Sequence, residues 1–186
     1  MKLNAKNTAL VLIDLQKGIL GMPVQPHAPG VVYERSVHLA QRFRNVGALV
    51  VWVRVSFSSD FADAQRLPVD QPTNHAALPP GWDELPAPLP PSDLLITKRH
   101  WGAFYGTELD LQLRRRGIQT IVLGGVATNI GVESTARQAW EYGYAVVLAE
   151  DATSGMSAEM HYFAIDNIFP RISRVVKSAE LNLSRA

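Results

Sequence analysis

Five short apolar runs punctuate the chain: Thr8 to Ile13, Ala48 to Val55, Leu94 to Thr97, Thr120 to Leu123 and Tyr144 to Ala149. Each is continuously apolar rather than alternating, the pattern of strands covered on both faces of a parallel sheet. A weaker sixth run spans Ile172 to Val176. Between the runs, apolar positions recur at helical spacing. After Asn129, the residues Val132, Ala136, Ala139 and Trp140 fall on one helical face, with Glu133, Arg137 and Glu141 elsewhere, and Gly143 ends the segment. The same reading predicts helices over Val31 to Val46 before Gly47, over Thr107 to Arg116 before Gly117, and over Ser157 to Ile168 before Pro170. Strands alternating with helices predict a three-layer α/β sandwich.

One stretch breaks the pattern. Eight of the 12 prolines fall between Pro68 and Pro91, where no periodicity survives, so an irregular surface excursion is expected there. It reads equally as a lid, a subunit contact or a plain surface insertion. With 186 residues, 47% apolar and 19% charged, the chain is expected to form a single folded domain over residues 1–186.

The formal charge of +1 is too balanced for the footprint of a general nucleic-acid binder. The densest basic cluster, Arg114, Arg115 and Arg116, closes a predicted helix just before Gly117, where cations favour the helix dipole. The chain has no cysteine, which removes disulfides, thiolate metal sites and any thiol nucleophile. Met1 to Thr8 lacks the pattern of a signal peptide, and no apolar run reaches membrane-spanning length, so a cytoplasmic protein without membrane contact is expected.

Ligands of open parallel sheets bind at the carboxyl ends of the strands. There the first run leads into Asp14, Leu15 and Gln16, the third into Lys98, and the fourth into Gly124, Gly125, Val126, Ala127, Thr128 and Asn129 at the opening of a helix. An acid tuned between burial and a lysine suits proton transfer, while the same two residues also read as a structural ion pair. The glycines do not have the G-x-G-x-x-G spacing of a dinucleotide site, so no cofactor is expected; the helix opening instead offers free amides to a substrate oxygen. Trp101, Phe104 and Tyr105 follow the third run as bulky groups suited to a pocket wall or to a contact between copies.

The segments ALVLIDLQKG (Ala9 to Gly18), ITKRHWGAFYGTEL (Ile96 to Leu109) and IVLGGVATNIGVESTARQAWEYGY (Ile121 to Tyr144), followed by AEDATSG (Ala149 to Gly155), resemble the signature blocks of the isochorismatase-like hydrolase superfamily in order and spacing. The resemblance implies a six-stranded, mainly parallel Rossmann-like sheet and a homodimer or homotetramer. It matches Asp14 to the family acid/base and Lys98 to the family lysine, places substrate against Gln16, Trp101, Phe104, Val126, Ala127 and Thr128, and implies a cis peptide between Val126 and Ala127.

Most members carry an Asp, Lys, Cys triad that hydrolyses amides, but Gly131 stands here at the cysteine position, which closes the covalent route. Ser134 and Thr135, three and four residues further along, lack the placement for a substitute nucleophile. True isochorismatases also have glycine there and cleave a vinyl ether through protonation by the aspartate. Their loop reads G-V-Y-A-H-I-G-C, whereas this one reads G-V-A-T-N-I-G-V, with Ala127 in place of a pocket tyrosine and the spelling of the cysteine amidases.

The metal motif of family nicotinamidases has no histidine counterpart in VSFSSDFADA (Val55 to Ala64), and His75 and His100 lack a second ligand nearby in sequence, so no metal is expected. The reading is a hydrolase of a small-molecule substrate using Asp14 as general acid on an enol or vinyl ether, with a catalytically silent binder or scaffold as the alternative.

Overall fold

The computed structural model describes residues 1–72 and 78–185. The chain opens with β1 (Lys2–Asn4), a 3-10 turn and β2 (Thr8–Ile13), then short α1 (Lys17–Leu20), long α2 (Pro29–Asn45) and β3 (Leu49–Val55). After the proline-rich excursion come β4 (Leu94–Lys98), α3 (Leu109–Arg115) and β5 (Thr120–Val126). A π-helical turn, Thr128–Val132, leads into α4 (Glu133–Glu141), followed by β6 (Ala145–Ser154), α5 (Ala158–Phe163), a second π turn (Ala164–Ile168), α6 (Phe169–Ile172), β7 (Arg174–Val176) and β8 (Asn182–Ser184).

Six strands form one parallel sheet in the order β4-β3-β2-β5-β6-β7, and β1 pairs with β8 in a separate two-stranded ribbon. The chain winds outward from β2 on one side and from β5 on the other, so the switch in direction falls between their carboxyl ends. Layers on both faces explain the continuous apolarity of the runs. In β2, Ala9, Val11 and Ile13 enter one core, with Leu113, Ala136 and Phe169 of the helices, while Leu10 and Leu12 enter the other, with Leu39 and Phe43 of α2. Burying each such Leu, Ile or Phe contributes about 1.5–3 kcal/mol.

The structure extends or corrects several sequence boundaries. The fifth run continues past Ala149 to Ser154 because β6 carries an irregularity: from Leu148 to Thr153 it advances five positions while β5 advances two, from Leu123 to Gly125. Polar Glu150 and Asp151 therefore lie within a strand. The helix expected to stop before Pro170 runs through to Ile172, because the π turn ends one helix and Pro170 enters at the first turn of the next, where no backbone donor is needed. The β1 and β8 pairing was not foreseen, since three-residue strands carry no readable period.

Arg116 sits as the capping reading predicts, its Nη1 donating to the Gln112 carbonyl at 3.0 Å, whereas Arg114 turns away from the helix end, its guanidinium 4.1 Å from the centre of the Tyr144 ring. In the excursion, the described residues 68–72 and 78–91 form no helix or strand. The turn 79–85 nevertheless docks on α1: Gly18 N donates to Trp82 O at 2.9 Å and Lys17 N to Glu84 O at 2.8 Å. Asp83 accepts from Ser56 Oγ at 2.7 Å, which ties the same turn to the end of β3.

Candidate active site

Asp14 immediately follows β2 at the switch point. Its backbone has φ 52°, a left-handed conformation costly for a side-chain-bearing residue, and its N–H is held by the Val53 carbonyl at 2.8 Å. Lys98, at the end of β4, donates its ammonium to Asp14 Oδ2 at 2.7 Å and to the Trp101 carbonyl at 2.8 Å. Both side chains are buried, at 9% and 2% exposure for the acid and the lysine. Asp14 Oδ1 is also buried and has no hydrogen-bond partner among the described residues. Burial pushes the carboxyl up to about 6, against the opposing pull of the Lys98 charge and hydrogen bond. The acid therefore titrates close to neutrality.

Gly131 faces this pair. A Cβ built there would lie 3.2 Å from Asp14 Oδ2, 3.2 Å from Ile13 Cγ2 and 3.3 Å from the Trp101 carbonyl oxygen. The position is thus directly over the carboxylate, and the absence of a side chain is what leaves room beside it. The approach of β5 to β2 depends on Gly125, whose φ is +116° and where a Cβ would stand 2.1 Å from the Ile13 carbonyl oxygen. The next peptide, Val126–Ala127, is cis. The Ala127 carbonyl then accepts from Ile130 N and Val132 N, opening the π turn that carries Gly131.

The remaining sequence-chosen residues separate into those that line the site and those that support it. Val126 and Ala127 are buried at the end of β5 beside Gly131. Trp101 contributes its carbonyl, while its indole is 66% exposed. The Gln16 amide is engaged in a reciprocal pair with Val55, donating to its carbonyl at 2.9 Å and accepting from its N–H at 2.8 Å, so it ties β2 to β3. The Thr128 hydroxyl is buried and meets His161 Nδ1 at 2.8 Å. Phe104 is not brought to Asp14: its ring packs on Tyr142 and Tyr144 in the core. Thr135 Oγ1 donates to the Gly131 carbonyl and accepts from Ala103 N, so the hydroxyl is engaged with the backbone.

Asp60 and Asp63, in the stretch compared with the family metal motif, accept from Ser58 and shape a local turn. His100 packs edge-on against Tyr105, and His75 lies outside the described residues. Two surface clefts lie away from the acid: one at the amino end of the sheet, lined in part by Lys6, Arg44 and Arg116, and one along β4 and the segment before α3.

Comparison with known proteins places the chain in a family. Residues 8–180 match the isochorismatase domain. The chain belongs to the isochorismatase family. It is 55% identical to the isochorismatase family protein YecD of Escherichia coli O157:H7, over 97% of both chains. It is 32% identical to the ureidoacrylate amidohydrolase RutB of Methylorubrum extorquens, covering 81% of this chain and 71% of that one. An isochorismatase family protein from Burkholderia thailandensis superposes with a TM-score of 0.91 at 45% identity, covering 95% of this chain and 94% of the other. The six-stranded parallel sheet expected of the family is the one observed.

Proposed function

We propose that this isochorismatase-family protein hydrolyses an enol or vinyl ether of a small metabolite without a covalent intermediate, using Asp14 as general acid. The observation that carries the reading is the unpartnered Asp14 Oδ1 on a buried carboxyl raised to about 6, beside a glycine and in a chain without cysteine. The protonated carboxyl transfers its proton to the terminal carbon of the enol ether. The oxocarbenium ion formed is captured by water, whose proton returns to Asp14, and the hemiketal separates into a carbonyl compound and an alcohol. Lys98 holds the carboxyl in place and stabilises its ionised form once the proton has left.

A general acid works in its protonated form, so kcat/KM on an accepted enol ether is expected to fall as pH rises through about 6. Asp14→Asn is expected to abolish turnover with the fold retained by circular dichroism. A rate that rises through the same pH, measured on an amide, would instead assign Asp14 as a base activating water. The second reading, a silent metabolite binder, is favoured by the engagement of Gln16 and Thr128 with the protein itself. Saturable binding without turnover, unaffected by Asp14→Asn, is the result that selects it.

A further inference from the structure

Behind Thr128 lies a second cluster of ionisable groups that the proposed reaction does not use. Glu150 comes from the irregular part of β6, His161 from α5 and His27 from the connection between α1 and α2. Glu150 Oε1 is 3.2 Å from His161 Nε2 and 3.8 Å from His27 Nε2, and the three atoms all lie within 4.8 Å of one another. Tetrahedral zinc with bonds of about 2.0–2.1 Å holds its ligand atoms about 3.4 Å apart, so only small side-chain movements separate this cluster from a coordinating geometry.

We propose that His27 Nε2, Glu150 Oε1 and His161 Nε2 form a divalent-metal site of a chemistry suited to Zn²⁺, with a fourth position open to water.

Several features go beyond proximity. His27 Nε2 is buried without a hydrogen-bond partner among the described residues, a donor atom whose need an ion would satisfy. The His27 backbone is clamped in both directions by one hydroxyl: its N–H donates to Ser154 Oγ at 2.9 Å, and Ser154 Oγ donates to its carbonyl at 2.7 Å. His161 is fixed on its other side by Thr128, whose hydroxyl lies 2.8 Å from Nδ1, so that Nε2 faces Glu150 Oε1; a bound metal would take the place of the proton between Nε2 and the carboxylate, and metal-bound histidines are commonly oriented through their second nitrogen in this way. Two neutral imidazoles and one carboxylate suit zinc or cobalt better than the oxygen-seeking calcium or magnesium.

Two cations among the described residues oppose an ion here: Arg35, whose charge acts on His27, and Lys177, whose ammonium pairs with the other carboxylate oxygen, Glu150 Oε2. The second is the one bound to a proposed ligand. It restricts Glu150 to a single coordinating oxygen and repels a cation. At 58% exposure it is free to swing toward solvent.

These opposed roles define the test. Chelator-stripped protein is titrated with Zn²⁺ by calorimetry and with Co²⁺ by visible absorption. The expected result is one equivalent of metal and cobalt bands of four-coordinate intensity. His27→Ala is expected to weaken binding at least about tenfold, and Lys177→Ala to tighten it several-fold, with folding checked by circular dichroism. Lys177→Ala replaces none of the three ligands, so it discriminates even where a ligand variant misfolds. No binding at submillimolar metal, unchanged affinity in folded His27→Ala, or weaker binding in Lys177→Ala would each overturn the site.

Discussion

Asp14 is the residue on which the chemistry turns, and its titration is a contest between burial and Lys98. Burial wins, because the carboxyl rises from its ordinary 3.8 to about 6 despite an ammonium at 2.7 Å. Since the folded value exceeds the unfolded one, the stability contributed by this group is complete below about 3.8 and is lost as pH rises through 6. Removing the cation removes the largest opposition to burial and leaves the smaller one from the Val55 backbone. Lys98→Met is therefore expected to move the descending, high-pH limb of the pH–rate profile upward by about 1–3 units, measured on whichever substrate is turned over; an unmoved limb would detach Lys98 from the proton-transfer group. At the neighbouring position, Gly131→Cys places a Cβ at 3.2 Å from Asp14 Oδ2 and 3.3 Å from the Trp101 carbonyl oxygen. Such crowding is expected to cost about 1–3 kcal/mol in denaturant unfolding, and amide hydrolysis by the variant is expected to stay slow, because the surrounding groups are packed around a glycine. Rapid thiol-dependent turnover of an amide would show that the original shell was already arranged for a nucleophile.

The proline-rich excursion shows how an element without regular structure can still be positioned. Its turn 79–85 is anchored on α1 at Gly18, where a Cβ would collide with the Trp82 ring at 2.0 Å. Gly18→Ala is expected to lift this turn. The readouts are a red shift of tryptophan emission and faster proteolysis within 68–91, with a stability loss of about 1–3 kcal/mol; unchanged fluorescence and proteolysis would show that the turn does not depend on that contact. The excursion was legible as irregular from its prolines alone, but its docking was not. The partners, Lys17, Gly18 and Ser56, belong to segments whose spacing says nothing about residues more than twenty positions away. The same holds for the helix through Pro170: a proline reads as a stop, and only the π turn before it makes that position a fresh start.

At the scale of the whole molecule, several large aromatic side chains face outward: Trp101, Tyr105, Trp140, Tyr142 and Phe163 all exceed half exposure. We propose that part of this surface is covered by a second copy of the chain, as the family resemblance implies. Light scattering at micromolar concentration is expected to give a multiple of the 20.5 kDa chain mass, and Trp101→Glu to shift it toward one copy. A single-chain mass for the unaltered protein would refute the assembly.

The parallel sheet, its two covering layers and the assignment of Asp14 and Lys98 to strand ends, with Gly131 at the helix opening beyond a third, follow from the sequence, because burial on both faces writes itself as continuous apolar runs and polar residues that interrupt them stand out. The family blocks add the correspondence of those three residues. What the sequence leaves open is distance. Whether Asp14 and Lys98 form a pair required β4 to lie two strands from β2 in a particular register, a matter of packing across 84 positions. Phe104, chosen from its place in a signature block, turned into the core, and the Gln16 and Thr128 side chains turned to other partners. The clustering of His27, Glu150 and His161 left no trace in spacing, because three separate elements converge there and an irregularity in β6 carries the carboxylate. Local patterning decides which residues are buried; only the folded chain decides which buried groups meet, since that depends on strand order and register across distant segments.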